Sequence, residues 1–335
     1  MRLLDHVAQC ASPFIVRQFD GALWRLTGPG DYAREVAACP LRYVLSDQLV
    51  RSCIELAYSE GAGVFGCLDL IHLPAERLWI EWSGVALREV LLRTMPECMG
   101  AAGTECLRHG VLLSADPGGR RGSLRTFWLP VADPSNPLLA PLETLIDLER
   151  ETAAACEAGV LLAGGAVRVC DPRSAEVDGL LECACFRLDP AWQRYYSSVI
   201  SSAAERRTVL ERSLGTVAFD IPVLLALFLL MALKPGLTGQ AVSTERINLK
   251  RARLGRAPLL AHIEVSCPVF AGAGSRPDRE PLPPVRTGPR LHHVRGHIVR
   301  REDAVFWRRP HWRGHLRLGC VRSRTVNLRL EGSPH

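Results

Sequence analysis

Gly110-Val-Leu-Leu-Ser114 and Leu124-Arg-Thr-Phe-Trp-Leu129 flank the segment Asp116-Pro-Gly-Gly-Arg-Arg-Gly122. Two apolar, strand-forming runs on either side of a Pro- and Gly-rich interruption predict a β-hairpin with a long, basic tip. Upstream, Leu78-Trp-Ile-Glu-Trp82 alternates as a half-buried strand does. Leu41 to Tyr58 places Leu41, Val44, Leu45, Leu49, Cys53 and Leu56 at three- and four-residue steps, the spacing of an amphipathic helix. Gly61 to Asp69 reads as a turn entering a strand. Further strands are predicted at Gly165–Cys170 and Leu180–Leu188, and helices at Pro141–Ala158, Pro190–Leu214 and Asp220–Leu233. No repeat of solenoid or propeller length occurs. The expected fold class is α+β: an antiparallel or mixed sheet with packed helices, followed by a small basic β-rich C-terminal module.

The chain has 335 residues, 47% hydrophobic and 23% charged, enough to bury a substantial core. This balance excludes collagenous, wholly disordered and small disulfide-stapled proteins. The apolar run Ile221 to Leu233 holds thirteen uncharged residues. A membrane-spanning helix needs about 20, so the run is expected to be a core helix rather than a membrane contact. Asp220 is placed to cap it, with Pro222 in its first turn and Lys234-Pro235-Gly236 to stop it. The twelve cysteines contain no C-x-x-C pair, and Met1-Arg-Leu-Leu-Asp-His6 is no signal peptide. They are read as small buried apolar residues of a cytoplasmic protein.

Charge is segregated along the sequence. Arg246 to Arg329 holds 19 Lys+Arg against 5 Asp+Glu, a net +14, and the remainder of the chain is −8. A body spanning residues 1–236 is therefore expected to precede a basic module at 237–335, the electrostatic footprint of a polyanion-binding element. Within that module the sequence predicts a helix at 243–254, a Gly/Pro linker at 271–290, a hairpin at 290–315 and a final strand at 324–330. The helix places Arg246, Lys250 and Arg253 on one face. The hairpin carries Arg-Gly-His twice, at 295–297 and 313–315, with Arg309-Pro310-His311 between. Trp307 and Trp312 supply flat faces among the cations Arg295 and Arg313, a combination suited to base stacking and phosphate neutralisation.

The same hairpin invites two alternatives. A metal-independent nuclease would use His297 and His311 as acid and base, with Arg295 on the developing phosphate charge. A metal site is disfavoured, because histidines four apart on a strand lie about 13 Å apart. Nothing in the sequence calls for a cofactor, and no phosphate-binding loop, dinucleotide fingerprint, nucleophile elbow or zincin helix occurs.

Arg246-Ile-Asn-Leu-Lys-Arg-Ala-Arg-Leu-Gly-Arg-Ala-Pro-Leu-Leu260, Leu291-His-His-Val-Arg-Gly-His297 and Trp307-Arg-Arg-Pro-His-Trp-Arg-Gly314 resemble the C-terminal end of a family of uncharacterised proteins encoded by phages and prophages of Gram-negative bacteria. Leu73-Pro-Ala-Glu-Arg-Leu-Trp-Ile-Glu-Trp82 is similar to an upstream segment of the same kind of protein. The family has no established activity, so the resemblance implies a bacterial mobile-element source and cytoplasm but no catalytic residue. The expectation is a nucleic-acid-binding accessory protein, with DNA or RNA as partner through Arg246, Lys250, Arg253, Arg295, Arg313, Trp307 and Trp312. A third reading is an interaction protein that docks on a phage or host protein.

Overall fold

The sheet is built outward from a strand buried on both faces. Leu78, Trp79, Ile80, Glu81 and Trp82 are all inaccessible to solvent, so the stretch read as half-buried has helices on either side. A computed structural model describes residues 1–10, 14–17, 23–26, 30–59, 61–94, 106–150, 162–163, 180–190, 192, 202, 217–233, 237–266, 290–294, 297–301, 304–308, 311–313 and 315–320. Two units divide between Pro268 and Val269.

In the first unit the order is α1 (Leu3–Ala8), β1 (Phe14–Arg17), β2 (Leu23–Leu26), α2 (Gly30–Ala38), β3 (Leu41–Leu45), α3 (Asp47–Ser59) and α4 (Gly61–Phe65). A 3-10 turn (Leu68–Leu70) leads to β4 (Arg77–Ser83), α5 (Gly84–Thr94), β5 (Cys106–Ala115), β6 (Arg121–Pro130) and β7 (Leu138–Asp147). Then come β8 (Leu162–Ala163), β9 (Ala184–Leu188), α6 (Asp220–Ala232), β10 (Thr238–Val242), α7 (Glu245–Arg253) and β11 (His262–Ser266). Nine strands form one mixed sheet in the order β10-β11-β3-β4-β5-β6-β7-β9-β8. The β11–β3 and β3–β4 pairs are parallel and the others antiparallel. The fold is α+β, as its alternating patterns imply.

The second unit is described by β12 (Arg290–Val294), β13 (His297–Arg301), β14 (Ala304–Arg308), β15 (His311–Arg313) and β16 (His315–Cys320). β13 and β14 pair antiparallel, and β12 pairs with β15 antiparallel and with β16 in parallel.

Several expectations are corrected. The body does not end at residue 236, because β10 and β11 hydrogen bond into its sheet and carry α7 with them. The helix expected over 41–58 is a strand and then a helix: Arg42-Tyr43-Val44 pairs with β4, and the Ser46 hydroxyl accepts the Leu49 N–H at 3.3 Å where the helix begins. Gly61–Asp69 is helical rather than extended. Through Asp147, the helix expected at 141–158 is β7, whose Glu143 faces arginines on both neighbouring strands. Of Leu180–Leu188, only Ala184–Leu188 is strand, Leu180 and Leu181 being helical. Asp220 is not a cap: Phe219 is the N-cap and the Asp220 side chain turns inward. The predicted segments 165–170 and 324–330, the linker up to 289 and nearly all of 190–214 lie outside the described residues.

One sheet face packs against α1 and α2 through Leu3, Leu4, Val7, Tyr32 and Val36 over Trp79, Leu112 and Phe127. Gly110 serves this contact, since a Cβ there would sit 2.4 Å from the Trp79 ring and 2.9 Å from Leu3. Beneath α1 lies the Glu81 carboxylate, which accepts the Leu3 and Leu4 N–H groups at 3.0 and 2.9 Å and pairs with Arg108. On the same face, cross-strand neighbours Arg125, Glu143 and Arg187 form a charged row. Arg125 reaches Glu143 at 3.2 Å and Asp189 at 3.3 Å, and Tyr32 donates to Asp189 at 2.7 Å. Burial and the Asp189 carboxylate raise the Tyr32 pKa. The opposite face is covered by α3, α5 and α6. In α6, Asp220 through Leu230 are all buried, and no described helix is long and apolar enough to cross a membrane.

Candidate nucleic-acid interface

Two residues, not an apolar stripe, hold α7 in place. Asn248 donates to the Leu259 carbonyl at 2.8 Å and accepts the Leu259 N–H at 2.8 Å, and Thr244 donates to the same carbonyl at 3.0 Å. Just past the end of the helix, Gly255, with a φ of 62°, turns the chain back toward that clasp. Arg251 is drawn into it, donating to the Ala257 carbonyl at 2.7 Å.

No residue of α7 is buried. Arg246, Lys250 and Arg253 are exposed, together with Arg256 just beyond the helix. None of the four takes part in an ion pair among the described residues. Interspersed with these cations are Ile247, 47% exposed, and Leu249 and Leu254, each 67% exposed. The sequence reading found the cations and missed the apolar side chains beside them. Their signal was Ile247, Leu249 and Leu254 themselves, at spacings that fit no single buried stripe.

The residues grouped by sequence into one basic module fall into two units. Arg246, Lys250 and Arg253 belong to the first, and His297, Trp307, His311, Trp312 and Arg313 to the second. Arg295 lies outside the described residues. On the β13–β14 ribbon, Trp307 is opposite Ile298 and half-buried, while Arg301 and Arg308 are exposed, as is Arg313 at the end of β15. Arg301 stands over the Phe306 ring at 5.6 Å. In backbone register His293 is opposite Trp312.

His297 is opposite Arg308, and His311 is opposite Val294. The two histidines thus lie in different sheets, His297 in the β13–β14 pair and His311 with β12 and β16. A proton donor and acceptor acting on one phosphodiester need hydrogen-bond reach of the same group. No described strand pairing sets His297 opposite His311.

The other arginine-rich place in the first unit, the β5–β6 tip, is already occupied by the protein itself. Arg120 donates to the carbonyls of Leu68 at 2.9 Å and Ile71 at 2.5 Å, and Arg121 pairs with Asp147 at 3.4 Å and Glu149 at 2.9 Å. No known protein family, curated protein or solved structure matches the chain.

Proposed function

We propose that the protein binds nucleic acid through α7, with the arginines and tryptophans of the second unit as a further contact, in the service of a phage or other mobile element. The observation that carries this reading is a helix with no buried residue and no ion-paired cation among those described, in a segment from which acids are largely missing. Arg246, Lys250, Arg253 and Arg256 supply phosphate neutralisation, and counterion release provides the driving force. Ile247, Leu249 and Leu254 offer apolar contact to sugars and bases that loses little on desolvation. The mobile-element setting rests on the resemblance of the Arg246–Leu260 and Leu291–Gly314 segments. Fluorescence anisotropy of labelled single- and double-stranded DNA and RNA with the full chain, across a salt series, tests the proposal. Steep salt-dependent binding, weakened when Arg246, Lys250 and Arg253 are changed together to Gln, supports it. Absence of binding at low salt overturns it.

A further inference from the structure

The clasp fixes which way α7 faces. Asn248 is bonded to Leu259 and Arg251 to Ala257, and these are the two residues of the helix partly shielded from solvent, so they mark its inner side. At about 100° per residue, the opposite side is centred on Arg246, Lys250 and Arg253, which fall within an arc of about 60°. Leu249 lies about 40° beyond that arc on one flank, and Leu254 and Ile247 about 40–60° beyond it on the other. The outer surface of α7 is thus a cationic ridge between two apolar rails. From Arg246 to Arg253 the ridge rises about 10 Å, at about 1.5 Å per residue.

Polyanionic ligands differ in where they place charge and apolar surface. A lipid surface takes the apolar face of a helix into the acyl boundary and leaves the cations at its margins. Here the order is reversed, so seating both rails in lipid would carry Arg246, Lys250 and Arg253 in ahead of them. Duplex DNA walls its major groove with phosphates and offers base edges at the floor. In that groove α7 would press Leu249 and Ile247 against the charged walls, while the flat faces of the bases stay stacked inside. A single strand sets its phosphates along one line, with sugars and unstacked base faces beside them.

We infer that the ligand of α7 is single-stranded nucleic acid, its backbone running along the Arg246–Lys250–Arg253 ridge and its sugars and bases lying on Leu249, Ile247 and Leu254. The inference rests on the nucleic-acid reading above and narrows it to one class of strand. DNA and RNA share the chemistry it uses, a line of phosphates beside exposed base faces.

The ridge is ready for phosphate. Arg246, Lys250 and Arg253 have no ion-pair partner among the described residues, so a strand can bind without breaking an internal pair. Arg256, just past Gly255, extends the line of cations beyond the helix. Charge attraction alone calls for no leucine. Leu249 and Leu254, each 67% exposed, and Ile247, 47% exposed, gain by being covered with sugar and base. Because the Asn248 clasp already fixes the helix, little ordering of the protein is needed when the strand arrives.

The test uses the full chain with a short labelled single strand, as DNA and as RNA, with the same strand annealed to its complement, and with phosphatidylserine vesicles. For the parent protein the single strand should bind about tenfold or more tighter than its duplex at equal salt. Leu249→Ser combined with Leu254→Ser should weaken single-strand binding by about tenfold, because part of the burial of two leucine side chains is lost. Its salt slope should stay the same, since no phosphate contact is removed, and duplex binding should not change. Both leucines are exposed, so the unfolding midpoint of the variant should match the parent. Ile247→Ser should act in the same direction and more weakly. A duplex bound as tightly as the single strand, or single-strand affinity unchanged in the leucine variant, overturns the inference and leaves the nucleic-acid reading standing. No binding to any of the nucleic acids removes both, and binding to the vesicles alone assigns the surface to lipid instead.

Discussion

From Asp220 to Leu230 every residue of α6 is buried, whereas α7, the next helix along the chain, has no buried residue and leaves Leu249, and Leu254 at its C-cap, 67% exposed. The apolar content of α6 is matched by somewhere to put it, between α3 and the sheet. At about 1.5 Å per residue it is also too short for a bilayer core of about 30 Å. By contrast, α7 is retained by hydrogen bonds from Asn248 and Thr244 to one backbone position, Leu259. Such attachment leaves its side chains free to meet a ligand. Folding energy resides in the first helix, and the second presents the exposed side chains on which the proposed recognition rests.

The sharpest way to break this comparison is to truncate one apolar residue in each helix. Phe228→Ala in α6 should cost about 3–5 kcal/mol in urea denaturation, from lost burial and the cavity left behind. Leu249→Ala should stay within about 0.5 kcal/mol. Equal costs would mean that α7 is packed after all.

Glu81→Ala is expected to cost about 3 kcal/mol or more, because it leaves Arg108 partly buried without its partner and frees the first N–H groups of α1. Thermal unfolding at neutral pH measures it, and a loss below 1 kcal/mol would show that water replaces the carboxylate. Gly110→Ala should destabilise by about 1–3 kcal/mol, since its methyl must displace Trp79 or Leu3. An unchanged midpoint would show that α1 shifts freely.

A smaller effect is expected at alkaline pH. Burial raises Tyr32, and it pushes the Cys183 thiol up to about 11 from its ordinary 9.0. Both groups hold their protons more tightly when folded than when unfolded. Their contribution is complete below pH 9 and is lost as pH rises toward 11 for Cys183 and higher for Tyr32. A pH series of denaturant midpoints should fall above pH 9, and less so in Cys183→Ala.

Much of the sheet was legible because hairpins announce themselves locally. The β5–β6 pair followed from a Pro-Gly-Gly interruption between apolar runs, and α6 from its uninterrupted apolar length. Among the strands that went unrecognised, β7 is largely buried on both faces, and such a strand loses the alternation that marks a half-buried one. Leu41-Arg-Tyr-Val-Leu45 merged with the periodicity of α3, while the charges of β7 imitated a helix face because Glu143 answers arginines across the sheet. The end of the body was misplaced for a related reason. A basic composition marks a surface, and β10, α7 and β11 show that the surface can belong to the main sheet's own edge. Of the interface, the cations were visible in the sequence. The Asn248 clasp closes across 11 residues of chain, and no local pattern announces it.

The most direct test of α7 as the recognition element is the salt dependence of nucleic-acid binding by the full chain and by the Arg246→Gln, Lys250→Gln, Arg253→Gln triple variant. The account predicts that log K falls linearly with log salt for the parent protein. The variant should bind more weakly with a slope shallower by about 2–3, at about 0.7–0.9 per lost phosphate contact, and with an unchanged unfolding midpoint. Identical slopes and affinities for the two proteins would contradict it.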